Sequence, residues 1–336
     1  MNSVRPLMQT RRCLLSIVAL MLVQGCVPGV SQPSTRPPGG TAGATATLAT
    51  ATVRPTPNSP TRGPTSRPTL TSQEAIGLVR TLLTDNGKCR LPCLWGLVPG
   101  ETMPRELHLF FDQFGAHLQS PDFLLQTDDL DGIGGMYVFF HDGDLDIDLS
   151  LDYYLTRKEL DMLVLTALAS REIGEGEETG TQDVFGDEIY NRLVDRYLLW
   201  RFLSDYNAPT QILIAPFPPA PGDPALDWYP FSLLLFYERD GFLVEYISPL
   251  RAQGDNYVGC PRESHFSVMA WPAGRITSLE RAVERKSGYG VNSENFDYFR
   301  SIDAATSMSP DQFINEFADP AAVACVETPR SLWPVP

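Results

Sequence analysis

Residues 27–71 form a tract of Thr, Pro, Ser, Gly and Ala with few large apolar side chains. A tract of this composition cannot bury enough apolar surface to offset the entropy lost on ordering. Its prolines favour extended polyproline-II geometry, so we expect a semi-rigid spacer. The folded part of the 336-residue chain is thereby restricted to residues 72–336, which are enough to form a substantial hydrophobic core.

A short, predominantly apolar run at residues 14–23 precedes the tract and follows several arginines. A helix needs about 20 apolar residues to cross a bilayer, and this run is shorter. A basic start followed by a short apolar core is typical of a secretory signal peptide. We therefore predict a signal peptide over residues 1–25.

The residues at the end of this segment, Val23-Gln24-Gly25-Cys26, resemble a bacterial lipobox. The resemblance implies that Cys26 receives a lipid and becomes the mature N-terminus, so that residues 26–71 are a lipidated cysteine and a disordered tether. The partner at this end is then the cell membrane, with the protein lipid-anchored on its extracytoplasmic face. The alternative is an ordinary signal peptide that is cleaved elsewhere, with Cys26 incidental.

Charge is distributed unevenly along the chain. Residues 1–71 contain seven arginines and no Asp or Glu, so residues 72–336 carry a net charge of −22. Nucleic acid binding requires a basic face, and anionic lipid surfaces attract basic segments, so both are disfavoured as partners of the folded part. Solubility explains the acidity, and a preference for a cationic ligand or Ca²⁺ is the alternative.

Four cysteines lie in the folded part: Cys89, Cys93, Cys260 and Cys325. An even number of cysteines in an exported protein suggests two disulfides, for which three pairings are possible. We favour Cys89–Cys93, because the two are close in sequence, and Cys260–Cys325 by elimination. A zinc site is the rival interpretation, but the histidines show no ligand spacing near these cysteines.

Helix, strand and turn patterns recur along the folded part. Residues 72–183 combine two helix patterns with a hairpin that turns at Asp142-Gly143, and residues 184–250 repeat helix, strand and hairpin with a turn at Asp240-Gly241. We therefore predict the α+β class, with two tandem units of helices packed on antiparallel sheet. Residues 251–336 are predicted to form a helical or irregular C-terminal segment packed on the second unit.

Capping residues predict where the helices begin and end. Thr71 and Glu74 fit a capping box for the first helix, and Thr102 is the expected N-cap of the second. Gly115 is expected to end the second helix in a left-handed conformation. The helix of the repeated unit is predicted over residues 188–207, with Asn207 ending it in the same way.

The segment "GLVPGETMPRELHLFFDQFG", residues 96–115, resembles a pattern in small outer-membrane assembly lipoproteins and β-lactamase-inhibitor-protein-like domains. The resemblance covers about 20 residues and implies a helix, a glycine stop and antiparallel strands in a domain that binds proteins without catalysis. With its lipobox and Thr/Pro tether, the whole arrangement also resembles uncharacterised lipoproteins of Chloroflexi-type bacteria, which implies no function.

The acidic stretch "HDGDLDID" is a candidate for a calcium site. Asp142, Asp144 and Asp146 imitate the start of a calcium loop, but Ile147 and Tyr153 stand where an EF-hand needs Gly and Glu. Alternation of acidic and apolar residues instead predicts a strand with one solvated face. We favour the strand and expect no metal and no other cofactor.

Catalytic signatures are missing from the sequence: it has no nucleophile elbow, zincin motif or phosphate-binding glycine loop. Trp228 and Tyr229 follow a Pro-rich loop, where exposed aromatic residues suit ligand recognition, so they are the candidate ligand-binding residues. We predict a non-catalytic cell-surface or periplasmic binding lipoprotein for a protein, peptide or glycan. The alternative is a secreted hydrolase that uses carboxylates.

Overall fold

The computed structural model describes residues 69–114, 132–173, 180–219, 228–284, 291, 295–321 and 323–333. The predicted signal peptide, the lipobox with Cys26, nearly all of the tether and the predicted glycine stop at Gly115 lie outside these residues. Residues 62–336 form one compact unit. Within the part of the chain that is described, no helix is long and apolar enough to cross a membrane.

Short helices and longer strands alternate along this unit. The helices in the described residues are α1 (Ser72–Asp85), α2 (Pro104–Asp112), α3 (Glu188–Leu193), α4 (Leu199–Asp205), α5 (Leu279–Glu284), α6 (Ile302–Ala305) and α7 (Pro310–Phe317). The strands are β1 (Gly132–Asp142), β2 (Leu145–Thr156), β3 (Glu159–Ile173), β4 (Gly180–Asp183), β5 (Gln211–Pro216), β6 (Pro230–Tyr237), β7 (Phe242–Pro249), β8 (Arg251–Gln253), β9 (Asn256–Gly259), β10 (His265–Ala270), β11 (Arg300–Ser301) and β12 (Val326–Pro329).

Nine of these strands form one antiparallel sheet in the order β1-β2-β3-β10-β7-β6-β5-β11, with β4 paired to the end of β3. The predicted α+β class with helices on a large antiparallel sheet is confirmed. Because β10 lies between β3 and β7, the strands of both predicted units share this sheet. β8, β9 and β12 make a second, three-stranded sheet.

One face of the large sheet packs against the helices of the main hydrophobic core. Strict alternation along β2 buries Leu145, Ile147 and Leu149 on this side, where they join the α1 residues Val79 and Leu83 in one cluster. Burying one such side chain contributes about 1.5–3 kcal/mol. The apolar face of α1 and the alternating apolar residues of β2 thus pack into the same core.

The opposite face is covered over β3, β10, β7 and β6. Here α5 contributes Leu279 and Val283 to a second cluster that contains Val164 of β3 and Phe236 of β6. Almost every residue of β6 and β7 is therefore buried, because this hairpin is covered on both sides.

The capping predictions hold for the first helix and fail by one residue for the second. Thr71 and Glu74 form the predicted capping box. The N-cap of α2 is Met103, whose backbone N–H donates to Glu106 at 3.0 Å, because Pro104 occupies the first helical position. Thr102 instead accepts a hydrogen bond from the Val98 N–H at 2.7 Å.

The predicted long helix over residues 188–207 is broken into α3, a 3₁₀ turn and α4, and its end is not left-handed. Tyr206 caps α4 with a φ of −115°, and Asn207 has no positive φ. The break turns Tyr197 into the core, where its hydroxyl accepts from Trp95 Nε1 at 3.1 Å and donates to Asn86 Oδ1 at 3.0 Å. Satisfying these buried polar groups outweighs the helical pattern of the sequence.

Both predicted disulfide pairings are confirmed. Cys89 is joined to Cys93 and Cys260 to Cys325, with Cα–Cα distances of 5.8 and 4.2 Å. The second bond lies next to the pairing of Gly259 with Val326, so it ties β12 to β9.

Candidate functional site

The β1–β2 hairpin presents an exposed face on the side opposite the main core. Register pairs Tyr137 with Ser150, Phe139 with Asp148 and His141 with Asp146, so these side chains share one face. We call this surface the open face and define it by ten positions: Ile133, Gly135, Tyr137, Phe139, His141, Asp146, Asp148, Ser150, Asp152 and Tyr154.

Three large apolar residues of β1 lie on the open face in the solvent. Ile133, Tyr137 and Phe139 are 47 %, 49 % and 47 % exposed. A strand with one solvated face normally places polar residues at such positions. The open face therefore exposes apolar and aromatic side chains on the outermost described strand of the large sheet.

Acidic side chains from β2 lie among these aromatic residues. The Tyr137 hydroxyl donates a hydrogen bond to Asp148. Burial, followed by this hydrogen bond and the charge of Asp148, raises the pKa of Tyr137, so its hydroxyl remains a donor at neutral pH. His141 Nδ1 pairs with Asp146, and the His141 ring meets the Phe139 ring edge-on at 5.3 Å.

Asp152 is the aspartate of the open face that lies opposite a glycine on β1. It lies opposite Gly135, and a Cβ built on Gly135 would stand 2.6 Å from Asp152 Oδ1. Partial burial raises the pKa of Asp152 to about 6, although a hydrogen bond from Ser150 opposes the shift.

The three aspartates of the calcium-like stretch are not brought together. Asp142 pairs with Arg80 at 3.3 Å, Asp144 with Arg171 at 2.8 Å, and Asp146 with His141. The described residues contain no cluster of three or more His, Cys, Asp or Glu side chains that could hold a metal ion. The predicted alternation along β2 is confirmed, and its polar face carries paired acids.

Trp228 and Tyr229, the predicted ligand-binding residues, lie immediately before β6 and are half-buried. Trp228 Nε1 donates to Asp183 Oδ2 at 2.6 Å, and the indole meets the Phe185 ring edge-on at 4.8 Å. Ser170 of β3 pairs with Asp146 of β2 on one side and with Asp183 of β4 on the other, so these three side chains lie on the same face of the sheet. This face also carries the exposed side chains of β1. Trp228 is thus bonded to a residue on the same side of the sheet as the open face.

A separate cleft lies beside Trp200 on α4. Its volume is about 90 Å³, and its lining is mostly apolar, with Leu198, Phe317 and Pro320 around the indole. Asp319 is the carboxylate that lines it. One carboxylate in a small apolar cleft does not form the pair that glycoside cleavage needs.

Sequence reasoning did not single out Ile133, Tyr137 and Phe139, although the sequence contained the signal. In "GGMYVFF", apolar residues occupy both the inward and the outward positions of a strand that lies beside an alternating one. That departure from alternation predicts exposed apolar side chains on the outward face of the strand.

The resemblance of residues 96–115 to assembly lipoproteins and β-lactamase-inhibitor-protein-like domains stays a prediction. No protein-family model, no characterised protein and no solved structure matches this chain.

Proposed function

We propose that this protein is a cell-surface or periplasmic lipoprotein whose folded part is a non-catalytic binding domain and whose open face is the binding surface. In this proposal Cys26 carries the lipid, and the tether separates the membrane from the folded part. The net charge of −22 on residues 72–336 supports a partner other than nucleic acid.

Among the described strands, β1 forms one edge of the large sheet, and this position carries the proposal. Natural proteins protect edge strands with prolines, lysines, bulges or very short strands, because an unprotected edge pairs with other chains. At one edge of the large sheet, β11 has only two residues. At the other, β1 has 11 residues, without proline, lysine or arginine, and exposes Tyr137 and Phe139.

These features favour a protein segment over a glycan as the ligand. An extended peptide gains main-chain hydrogen bonds by adding to a sheet edge, and its alternate side chains contact the adjacent face. Aromatic residues such as Tyr137 and Phe139 are also enriched in protein interfaces.

The alternative, a carboxylate-dependent hydrolase, has less support. Asp152 has the raised pKa expected of a general acid. Asp148, the next carboxylate along the same side of β2, is four residues away, about 13 Å at the usual rise of a strand. Glycosidase carboxylates are about 5 to 9.5 Å apart.

Arrays of extended peptides and of glycans, probed with the full chain carrying Cys26→Ser, test the proposal. This substitution removes the lipid site and leaves the domain intact. We expect binding to extended peptides that is lost in the Tyr137→Ser/Phe139→Ser double variant. Met103→Ser is the matched control, because Met103 is 63 % exposed on the α2 N-cap. Glycan binding that depends on Tyr137 would show that the ligand of the open face is a sugar and not a peptide. Hydrolysis of a substrate panel, abolished by Asp152→Asn, would favour the hydrolase and contradict the proposal.

A further inference from the structure

We propose that the open face selects an extended protein segment that adds to the β1 edge and places a lysine or arginine side chain over Gly135, against the carboxylate of Asp152. This inference rests on the proposed function and adds the chemistry of the partner.

The proposed site for the cation is a gap between two exposed side chains of β1. Ile133 and Tyr137 stand on either side of Gly135 on the same face, and both project into solvent. Gly135 has no side chain, so the surface between them is open down to its neighbour on β2, which is Asp152. A Cβ at Gly135 would stand 2.6 Å from both Asp152 Oδ1 and the Leu151 carbonyl oxygen, so a larger residue would close the gap.

The chemistry of the gap fits a long cationic side chain. Apolar Ile133 and the Tyr137 ring suit the methylene stem of a lysine or arginine, while the carboxylate at the base suits its charged end. The ten positions of the open face contain three aspartates and no lysine or arginine. The gap is therefore electrostatically complementary to a cation.

Strand spacing places the cation within reach. Neighbouring strands lie about 4.8 Å apart, so a strand added beside β1 is about 9.6 Å from β2. A lysine or arginine opposite Gly135 can extend across this distance and meet Asp152, which points toward β1. Any residue with a side chain at position 135 would obstruct that path.

Partial burial of Asp152 gives the site a pH dependence. The ionisable groups that face it are Tyr137 from β1 and Tyr154 from β2, with Asp148 further along β2; β3 presents Val164 and Thr166 on this side. A cation over Gly135 offsets the desolvation of the carboxylate and lowers its pKa from about 6. The preference for a cation should then be strongest above that pKa and should disappear at acidic pH, where Asp152 is protonated.

Short synthetic peptides provide the probe. They alternate Thr and Val and carry one central residue, which is lysine, its uncharged analogue norleucine, or glutamate. Binding to the full chain with Cys26→Ser is measured by calorimetry, and the Asp152 carboxyl is followed by NMR. We expect the lysine peptide to bind about tenfold more tightly than the norleucine peptide above neutral pH, with a fall of about one unit in the pKa of Asp152.

Two variants separate this proposal from the function on which it rests. Asp152→Asn should remove the preference for lysine over norleucine while both peptides still bind. Gly135→Ala should remove the same preference by filling the gap, and its melting curve shows whether it folds. Glu316→Gln, which removes an exposed carboxylate of α7 outside the open face, is the matched control and should leave the preference for lysine unchanged.

Each outcome is decisive. Equal binding of lysine and norleucine peptides, with loss of both in Tyr137→Ser, would contradict the cation site and leave the proposed function standing. Absence of binding by every peptide would contradict both. A lysine preference that survives Asp152→Asn would show that another carboxylate holds the cation and would overturn the assignment.

Discussion

Asp152 lies so close to Gly135 on the neighbouring strand that a Cβ at Gly135 would stand 2.6 Å from Asp152 Oδ1. A carboxylate in this position is partly withdrawn from water, which raises its pKa to about 6. Carrying such a group costs stability at neutral pH, and residues of this kind cluster at functional sites.

Asp152→Asn should therefore stabilise the protein at neutral pH. The pKa of Asp152 is raised from 3.8 to about 6 in the folded state, so the wild type loses stability as pH rises through this range. The gain should be largest above pH 6 and small below pH 4, with an upper figure of about 3 kcal/mol that solvent access reduces. Chemical denaturation across this range measures it. A gain that does not change with pH would show that Asp152 is not destabilised by ionisation.

Asn86→Ala should destabilise the first helix and the loop that follows it. Asn86 is 2 % exposed, and its Nδ2 donates to the Cys89 and Cys93 carbonyls at 3.0 and 2.9 Å. Its Oδ1 accepts from Trp95 N and the Tyr197 hydroxyl, so truncation leaves several buried polar groups unpaired, at a cost of about 2–4 kcal/mol. Denaturation midpoints measure the loss. The exposed Thr84→Ala is the control, and an equal effect of both substitutions would contradict the role of Asn86.

Cys325→Ser should lower the melting temperature clearly more than Cys93→Ser does. The Cys260–Cys325 bond closes a loop of 65 residues and ties β12 to β9, whereas Cys89 and Cys93 are four residues apart. The chain-entropy model assigns the long closure roughly 4 kcal/mol. Non-reducing peptide mapping checks the pairing. Free thiols at all four positions in protein from the cell envelope would contradict both the bonds and the exported location.

Cys26→Ser should release the protein from membranes, because the proposed lipid is its anchor and the described residues contain no membrane-spanning helix. Fractionation of cells that express the wild type or the variant tests this. The wild type should sediment with membranes, and the variant should appear in the periplasm or medium. Equal membrane association of the two would contradict lipid anchoring at Cys26.

Local patterns predicted much of this fold. The capping box at Thr71, the Asp142-Gly143 hairpin and the alternation along β2 follow from short-range rules and are confirmed. Both disulfides were predicted from sequence distance and elimination. The cap, the hairpin and the alternation depend on neighbours in sequence, whereas Cys260 and Cys325 are 65 positions apart and their pairing followed only by elimination.

Features that depend on distant residues were missed. The 188–207 helix is broken where Tyr197 turns toward Asn86, a partner 111 positions away. Placement of β10 between β3 and β7 likewise depends on long-range pairing. For the open face, the break in alternation along β1 is visible in the sequence, but whether Tyr137 and Phe139 are covered depends on where the helices pack, and α5 packs over β3 and β6 instead.

The most direct test of the open face is site-specific photo-cross-linking of the lipidated protein in its own cell envelope. A photoreactive phenylalanine analogue at position 139 is compared with the same analogue at position 103, which is also exposed. We predict one discrete protein adduct at 139 and none at 103, with a lysine or arginine close to the linked residue of the partner. No adduct at position 139, or the same adducts at both positions, would contradict the claim that the open face binds a protein segment.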